Sequence, residues 1–238
     1  MIRYAFYSDI GGRAVNEDTV KLREQDGALC AVLCDGLGGH GSGDKASQKA
    51  AGIITEGWTP FANPDSLIRL TQSAHREILA MQSQVCQMKT TAVVLSVSSR
   101  LICYAYIGDS RLYHFAEGSL KWQTTDHSAS QIAVLLGQIT PKEIRFHEDR
   151  SRILRALGQL DSPGAEGGII EPRQGRNAFL LCSDGFWEYV DEDEMQTALG
   201  ESSSPEEWLD RMRVYRAGRI PADCDNNSAA AVWLENDR

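Results

Sequence analysis

The sequence has no apolar run long enough to cross a bilayer. Its longest stretches, such as Ala178-Phe179-Leu180-Leu181-Cys182, fall far short of the roughly 20 residues a membrane helix needs. The opening Met1-Ile2-Arg3-Tyr4-Ala5-Phe6 lacks the apolar segment of a signal peptide, which predicts no secretion. Cysteine is sparse, six in 238 residues, and no CxxC pair occurs. That pattern weighs against a disulfide framework, a zinc finger or a redox motif. Cys30, Cys34, Cys103 and Cys182 lie inside apolar runs and read as small core residues in a reducing, cytoplasmic setting. Positive charge is in deficit: 24 Lys and Arg against 33 Asp and Glu leave a net charge of −9. Such a chain repels a phosphate backbone at long range, and no basic block with interleaved aromatics offsets this, so no nucleic-acid partner is expected. Tandem repeats, low-complexity tails and interdomain linkers are also missing.

The composition that remains, 42% hydrophobic and 24% charged, is that of an ordinary globular protein. Its length predicts one domain over residues 1–238, with one large core. Ala28 to Cys34 reads as a buried strand ending in a tight loop at Asp35-Gly36. Ala46 to Trp58 reads as a helix. A second helix begins at Asn63-Pro64, cap and first position, and carries Leu67, Leu70, Ala74, Ile78 and Met81 at helical spacing. Thr90 to Ser98, Leu101 to Gly108 and Arg111 to Phe115 read as strands, with Asp109-Ser110 in a hairpin-like turn. Further strands are expected at Ala178 to Cys182 and Ser228 to Leu234, and a late helix at Ser204-Pro205. This order does not fit regular βαβ units. It fits two antiparallel sheets packed together with helices on their outer faces.

One pattern stands above background. Apolar strands run repeatedly into an aspartate, at Cys34-Asp35-Gly36, Gly108-Asp109-Ser110 and Ser183-Asp184-Gly185. Asp225 precedes the last strand, and Glu17-Asp18 adds an acidic pair. Taken singly, an Asp-Gly at a strand end is most simply a turn. Taken together, converging carboxylates would be prohibitively expensive to bury unless a cation joined them. Hard oxygen ligands suit Mg²⁺ or Mn²⁺, and need no help from the five histidines. Two such ions can neutralise a phosphate and activate a water, and an arginine such as Arg13 can clamp the remaining oxygens. The glycine-rich Asp35-Gly36-Leu37-Gly38-Gly39-His40-Gly41 is neither a P-loop nor a dinucleotide fingerprint. Its glycines let backbone approach an ion, with the Gly36 carbonyl as candidate ligand.

With these residues in order, the chain resembles the metal-dependent Ser/Thr protein phosphatases of the PPM/PP2C family, bacterial type. The resemblance runs through Gly12-Arg13-Ala14-Val15-Asn16-Glu17-Asp18, the glycine loop, Thr90-Thr91, Gly108-Asp109-Ser110-Arg111 and Asp126-His127-Ser128. It continues through Arg155-Ala156-Leu157-Gly158, Ser183-Asp184-Gly185 and Asp225-Asn226. It implies an α+β fold, a four-layer α-β-β-α sandwich of two central antiparallel sheets flanked by helices. It implies hydrolysis of phosphoserine and phosphothreonine in proteins by a metal-bridging water or hydroxide, with two tightly bound Mn²⁺ or Mg²⁺ ions and a third, weaker one.

Carried onto this chain, Asp35 would bridge both ions, and Asp184 and Asp225 would complete the first. The Gly36 carbonyl would ligate the second. Glu17 and Asp18 would hold metal-bound waters, and Asp109 would serve the third ion with help from Asp184. Arg13 would bind the substrate phosphate, and Asn226 would position that phosphate or the metal shell. Residues 128–152 resemble the family's flap, a mobile segment expected to influence which phosphoprotein is accepted. The resemblance also implies a cognate Ser/Thr kinase and a monomeric enzyme.

Two departures stand out. Lys89 occupies a usual glycine position before Thr90-Thr91. Leu37 replaces a histidine proposed as general acid in eukaryotic members, which fits the bacterial type and leaves that role unassigned. His40 is a supporting candidate, with loop capping or packing equally open. Cys86 lacks a phosphate loop ending in arginine, so no phosphocysteine is expected. A catalytically dead binding module and a two-metal phosphodiesterase or nuclease are the rival readings. Intact predicted ligands oppose the first, and motif order and acidic charge oppose the second.

Overall fold

The computed structural model describes residues 1–38, 42–83, 86–161 and 164–236. Strands β1 (Ile2–Asp9), β2 (Asp18–Gln25) and β3 (Ala28–Leu37) lead to helices α1 (Gly43–Gly57) and α2 (Pro64–Met81). Next come β4 (Lys89–Thr90), β5 (Ala92–Val97), β6 (Ile102–Ile107), β7 (Arg111–Ala116) and β8 (Ser119–Gln123). Helix α3 (Ala129–Leu135), a 3₁₀ turn (Pro141–Phe146), β9 (Glu166–Ile169) and β10 (Gly175–Cys182) follow. Then come α4 (Asp184–Trp187), α5 (Glu192–Gly200), α6 (Pro205–Ala217) and β11 (Asn227–Asn236).

The strands form two antiparallel sheets, in the orders β1-β11-β10-β7-β8 and β2-β3-β5-β6-β9, with β4 added beside the end of β3. Alternation along the central strands builds the layers. On β3, Leu29, Ala31 and Leu33 face the other sheet, where they meet Leu112, Phe179, Leu181, Ala230 and Val232. The intervening Cys30, Val32 and Cys34 face outward onto Ala46, Ala50 and Ile54 of α1 and Leu67, Ala74 and Ile78 of α2. On the far side, Ala178, Leu180 and Trp233 meet Trp187, Met195, Trp208 and Met212. Both faces of each sheet are therefore covered, which is why the central strands read as continuous apolar runs. The architecture is the α+β sandwich of two packed antiparallel sheets between helical layers.

The helix signals hold locally. Asn63 accepts from the Ser66 amide (2.9 Å), and the Ser66 hydroxyl accepts from the Asn63 amide (2.8 Å), closing a capping box ahead of Pro64. Ser204 caps α6 through the Glu207 amide. In the 128–152 segment, Ser128 caps α3, and Thr140-Pro141 opens the 3₁₀ turn. No helix among the described residues is long and apolar enough to cross a membrane.

Two sequence expectations need correction. Asp109-Ser110 is not a hairpin turn, because β6 and β7 lie in different sheets and do not pair. The chain crosses between the sheets there, with Gly108 at φ +105°, and Thr91 packed where a β-carbon would stand. Asp35-Gly36 is likewise not a loop after a strand. β3 continues through both residues to Leu37, because β2 pairs with it as far as Asp35 and β4 takes over at Gly36.

Candidate metal centre

The acidic residues converge because the elements carrying them end at the same edge of the sandwich. Asp18 opens β2 directly opposite Asp35 on β3, a cross-strand pairing with about 5 Å between α-carbons. Asp184 begins α4, directly after β10. β10 pairs with β11, and Asp225 lies just before β11. Gly185 permits the last approach. A β-carbon there would lie 2.1 Å from the Asn226 carbonyl oxygen, so any side chain would push α4 away from residues 225–226. The Asp184 and Asp35 carboxyls come within hydrogen-bonding reach of each other.

Electrostatics record the crowding. Burial, followed by the charges of Asp18, Asp184, Asp109 and Asp225, holds the Asp35 carboxyl well above the usual carboxylate range. Burial and then neighbouring Asp225 push Asp184 up to about 6. Burial also takes Asp18 to about 7, against hydrogen bonds from Ser183 and Ser228 that favour its charged form. Asp109 is raised by burial and by Asp184. Each shift expresses a carboxyl taken out of water beside other acids.

Several carboxylate oxygens lack any partner. Both Asp109 side-chain oxygens and Asp18 Oδ1 are buried and accept no hydrogen bond. Each is closed to a water-sized probe, whereas a small divalent cation sits only about 2.1 Å from its oxygen ligands. The donor set, all oxygen and all acidic, suits Mg²⁺ or Mn²⁺. Among the described residues, however, no three His, Cys, Asp or Glu side chains form a ready-made ligand cage. The residues fit the ions in chemistry and neighbourhood, without a preassembled coordination sphere.

The surrounding residues hold the backbone in place. The Thr90 hydroxyl donates to the Asp35 carbonyl (2.8 Å). The Thr91 hydroxyl accepts from the Asp35 amide (2.9 Å) and also bonds the Ser110 hydroxyl (2.8 Å). Leu157 exchanges backbone bonds with Thr90, which gives the Arg155-to-Gly158 motif a bracing role. Gly36 leaves no room for a β-carbon against the Gly43 and Glu17 carbonyls. The Glu17 carboxylate accepts from the Gly43 amide, at the start of α1.

Two candidates are placed more narrowly than expected. Asn226 is buried and its amide is fully committed: it accepts from the Glu17 amide (2.8 Å) and donates to the Ile10 (2.7 Å) and Val15 (3.0 Å) carbonyls. It fixes the segment carrying Arg13, Glu17 and Asp18, and has no hydrogen left for a phosphate. Exposed Arg13 rests on Asp225, with Nη2 2.9 Å from Oδ2. His40, Gly39 and Gly41 lie outside the described residues. Sequence reasoning overlooked Ser183, whose hydroxyl donates to Asp18 (2.8 Å) and accepts from the Ser228 amide (3.0 Å). Its place beside Asp184 was the only available signal.

A two-sheet sandwich carrying a carboxylate cluster at one edge defines a protein with an oxygen-donor site suited to a divalent cation. The comparisons make the class specific. The protein phosphatase 2C family matches residues 7–216, and the chain belongs to that family. It is 34% identical over 212 residues to the serine/threonine protein phosphatase PstP of Mycobacterium tuberculosis, covering 84% of this chain and 39% of that protein. The chain therefore spans about two fifths of that relative's length. The crystal structure of the Mycobacterium tuberculosis serine/threonine phosphatase PstP/Ppp superposes with a TM-score of 0.83 at 30% identity, over 99% of each chain. A PstP catalytic domain in complex with two manganese ions superposes at 0.78, with 28% identity over 97% of each chain.

Proposed function

We propose that this chain, as one catalytic domain over residues 1–238, removes phosphate from phosphoserine and phosphothreonine side chains of proteins in a reaction that depends on Mn²⁺ or Mg²⁺. The observation that carries this reading is the meeting of Asp18, Asp35, Asp184 and Asp225 at one edge of a protein phosphatase 2C fold. Asp35, Asp184, Asp225 and the Gly36 carbonyl would hold two ions, and Asp109 a third. Bound there, divalent cations supply positive charge for the phosphoryl oxygens and lower the pKa of water.

The chain's own residues do the rest. Arg13 swings from Asp225 to pair with the substrate phosphate, its planar guanidinium matched to two phosphate oxygens. Asp18, held by Ser183, and Glu17, held by Gly43 and Asn226, orient water through carboxylate oxygens. The 128–152 segment forms a flap beside the site and selects among phosphoproteins. Paired strands fix Asp18 and Asp35, and strand ends fix the other acids, so specificity is free to vary on the loop.

The six unpaired cysteines fit a reducing, cytoplasmic setting, where the enzyme acts as a monomer opposite a Ser/Thr kinase. The test is phosphate release from phospho-Ser, phospho-Thr and phospho-Tyr peptides with and without Mn²⁺, beside a nucleic-acid cleavage assay. Mn²⁺-dependent release from the first two is expected. Nucleic-acid cleavage alone, or binding without turnover, would contradict the reading.

A further inference from the structure

The crossing between β6 and β7 is held by several hydrogen bonds, none of them to the carboxylate it presents. The Gly108 amide donates to His127 Nδ1 (3.0 Å), and the Gly108 carbonyl accepts from the His127 amide (2.9 Å). Ser110 is tied to Thr91. The Asp109 carbonyl accepts from the indole nitrogen of Trp187 (3.0 Å). Among the side chains of the crossing, the Asp109 carboxylate is the one whose oxygens have no hydrogen-bond partner. The backbone is thus fixed from several sides so that one unpaired side chain points where it does.

Trp187 is a member of this frame that also touches the flap from outside it. Its carbonyl accepts from Arg145 Nη1 (2.7 Å), and Arg145 belongs to the 3₁₀ turn within residues 128–152. The same arginine makes two bonds to Glu192 (2.8 and 3.0 Å), with both side chains largely buried. Glu192 in turn lies 3.5 Å from Arg111, two residues beyond Asp109. The Arg111 guanidinium stacks over the Trp187 ring at 3.6 Å and grips Asp126 through two bonds. Two routes, one through Trp187 itself and one through Glu192 and Arg111, therefore join the seat of the flap to the crossing that carries Asp109. Ile144, beside Arg145, is buried in the same core cluster as Trp187, which seats the turn by packing as well.

We propose that Trp187 is a positioning residue that couples seating of the flap, through Arg145, to placement of the Asp109 carboxylate and hence to the weaker third cation. This rests on Asp109 serving that ion, as proposed above. Whatever unseats the 3₁₀ turn removes the partner of the Trp187 carbonyl and loosens the indole that holds the Asp109 backbone. The weaker ion is then held well only while the flap is down.

The test is Mn²⁺ titration calorimetry on the full chain, paired with limited trypsin digestion of the flap. Trp187→Phe keeps a ring over Arg111 and loses only the indole N–H. It should leave the two tight ions unchanged and weaken the third about fivefold, the size expected for one neutral hydrogen bond. Arg145→Gln should speed tryptic cleavage within 136–152 and weaken the same third ion, and Arg145→Lys should restore part of both effects. The two effects should be less than additive in the double variant, since one of the two routes is shared. A wild-type isotherm for Trp187→Phe would overturn the proposal. If Trp187→Phe fails to fold, the Arg145 variants decide alone: a freed flap with an unaltered third ion overturns it equally. Asp109→Ala separates the two levels. If it leaves the third ion unaltered, the assignment of Asp109 itself falls. If it weakens that ion while Trp187→Phe and Arg145→Gln do not, only the coupling falls.

Discussion

At the scale of single residues, the site is an arrangement of like charges that the fold tolerates poorly by itself. Asp35 is the most crowded, with Asp18, Asp184, Asp109 and Asp225 all raising its pKa after burial. Replacing it with asparagine should therefore have the largest effect. Asp35→Asn, Asp184→Asn and Asp225→Asn are each expected to remove most turnover, by about a hundredfold or more if the ions carry the stabilisation of phosphoryl charge. Each should also weaken Mn²⁺ binding, Asp35→Asn most. A phosphopeptide assay beside Mn²⁺ calorimetry checks this, and full activity in all three would contradict it. The aspartates were legible in the sequence because most of them sit at the end of an apolar run or just before one, a pattern set by backbone geometry. The commitment of Asn226 was not legible. Its partners, the Glu17 amide and the Ile10 and Val15 carbonyls, lie more than two hundred residues away along the chain.

At the scale of elements, convergence depends on close backbone approach. α4 can begin against residues 225–226 only because Gly185 has no side chain. Gly185→Ala should force α4 outward, costing about 1–3 kcal/mol of stability as an overpacking change. It should also weaken Mn²⁺ binding without altering any ligand. Chemical denaturation and calorimetry test this together, and a variant with unchanged stability and metal affinity would contradict it. Capped helices such as α2 and α6 were legible because Asn63-Pro64 and Ser204-Pro205 act on adjacent backbone. The crossing at Asp109 was misread because a strand, a short turn and a strand look alike whether the strands pair or separate. What distinguishes them is the pairing of β7 with β10, some 65 residues later, which local pattern does not record.

At the scale of the whole molecule, the four layers isolate one acidic edge whose stability follows protonation. Burial first, and neighbouring acids after it, raise Asp184 from 3.8 to about 6 and Asp18 from 3.8 to about 7. Folded values above unfolded ones mean that the protonated groups favour the fold. Their contribution is complete below about pH 4 and is lost as pH rises through about 6 to 7. The metal-free chain should therefore lose thermal stability between about pH 5 and pH 7.5. Mn²⁺, which binds deprotonated carboxylates, should raise Tm increasingly over that interval. Scanning calorimetry with and without Mn²⁺ at the two ends checks the sign. A metal-free Tm that rises across the interval, with no effect of Mn²⁺, would contradict it. The most direct measurement is anomalous diffraction at the manganese edge from crystals soaked in Mn²⁺. Two strong peaks should lie beside Asp35, one against Asp184 and Asp225 and one against the Gly36 carbonyl. Manganese found away from this edge, or absent from it after a saturating soak, would contradict the account.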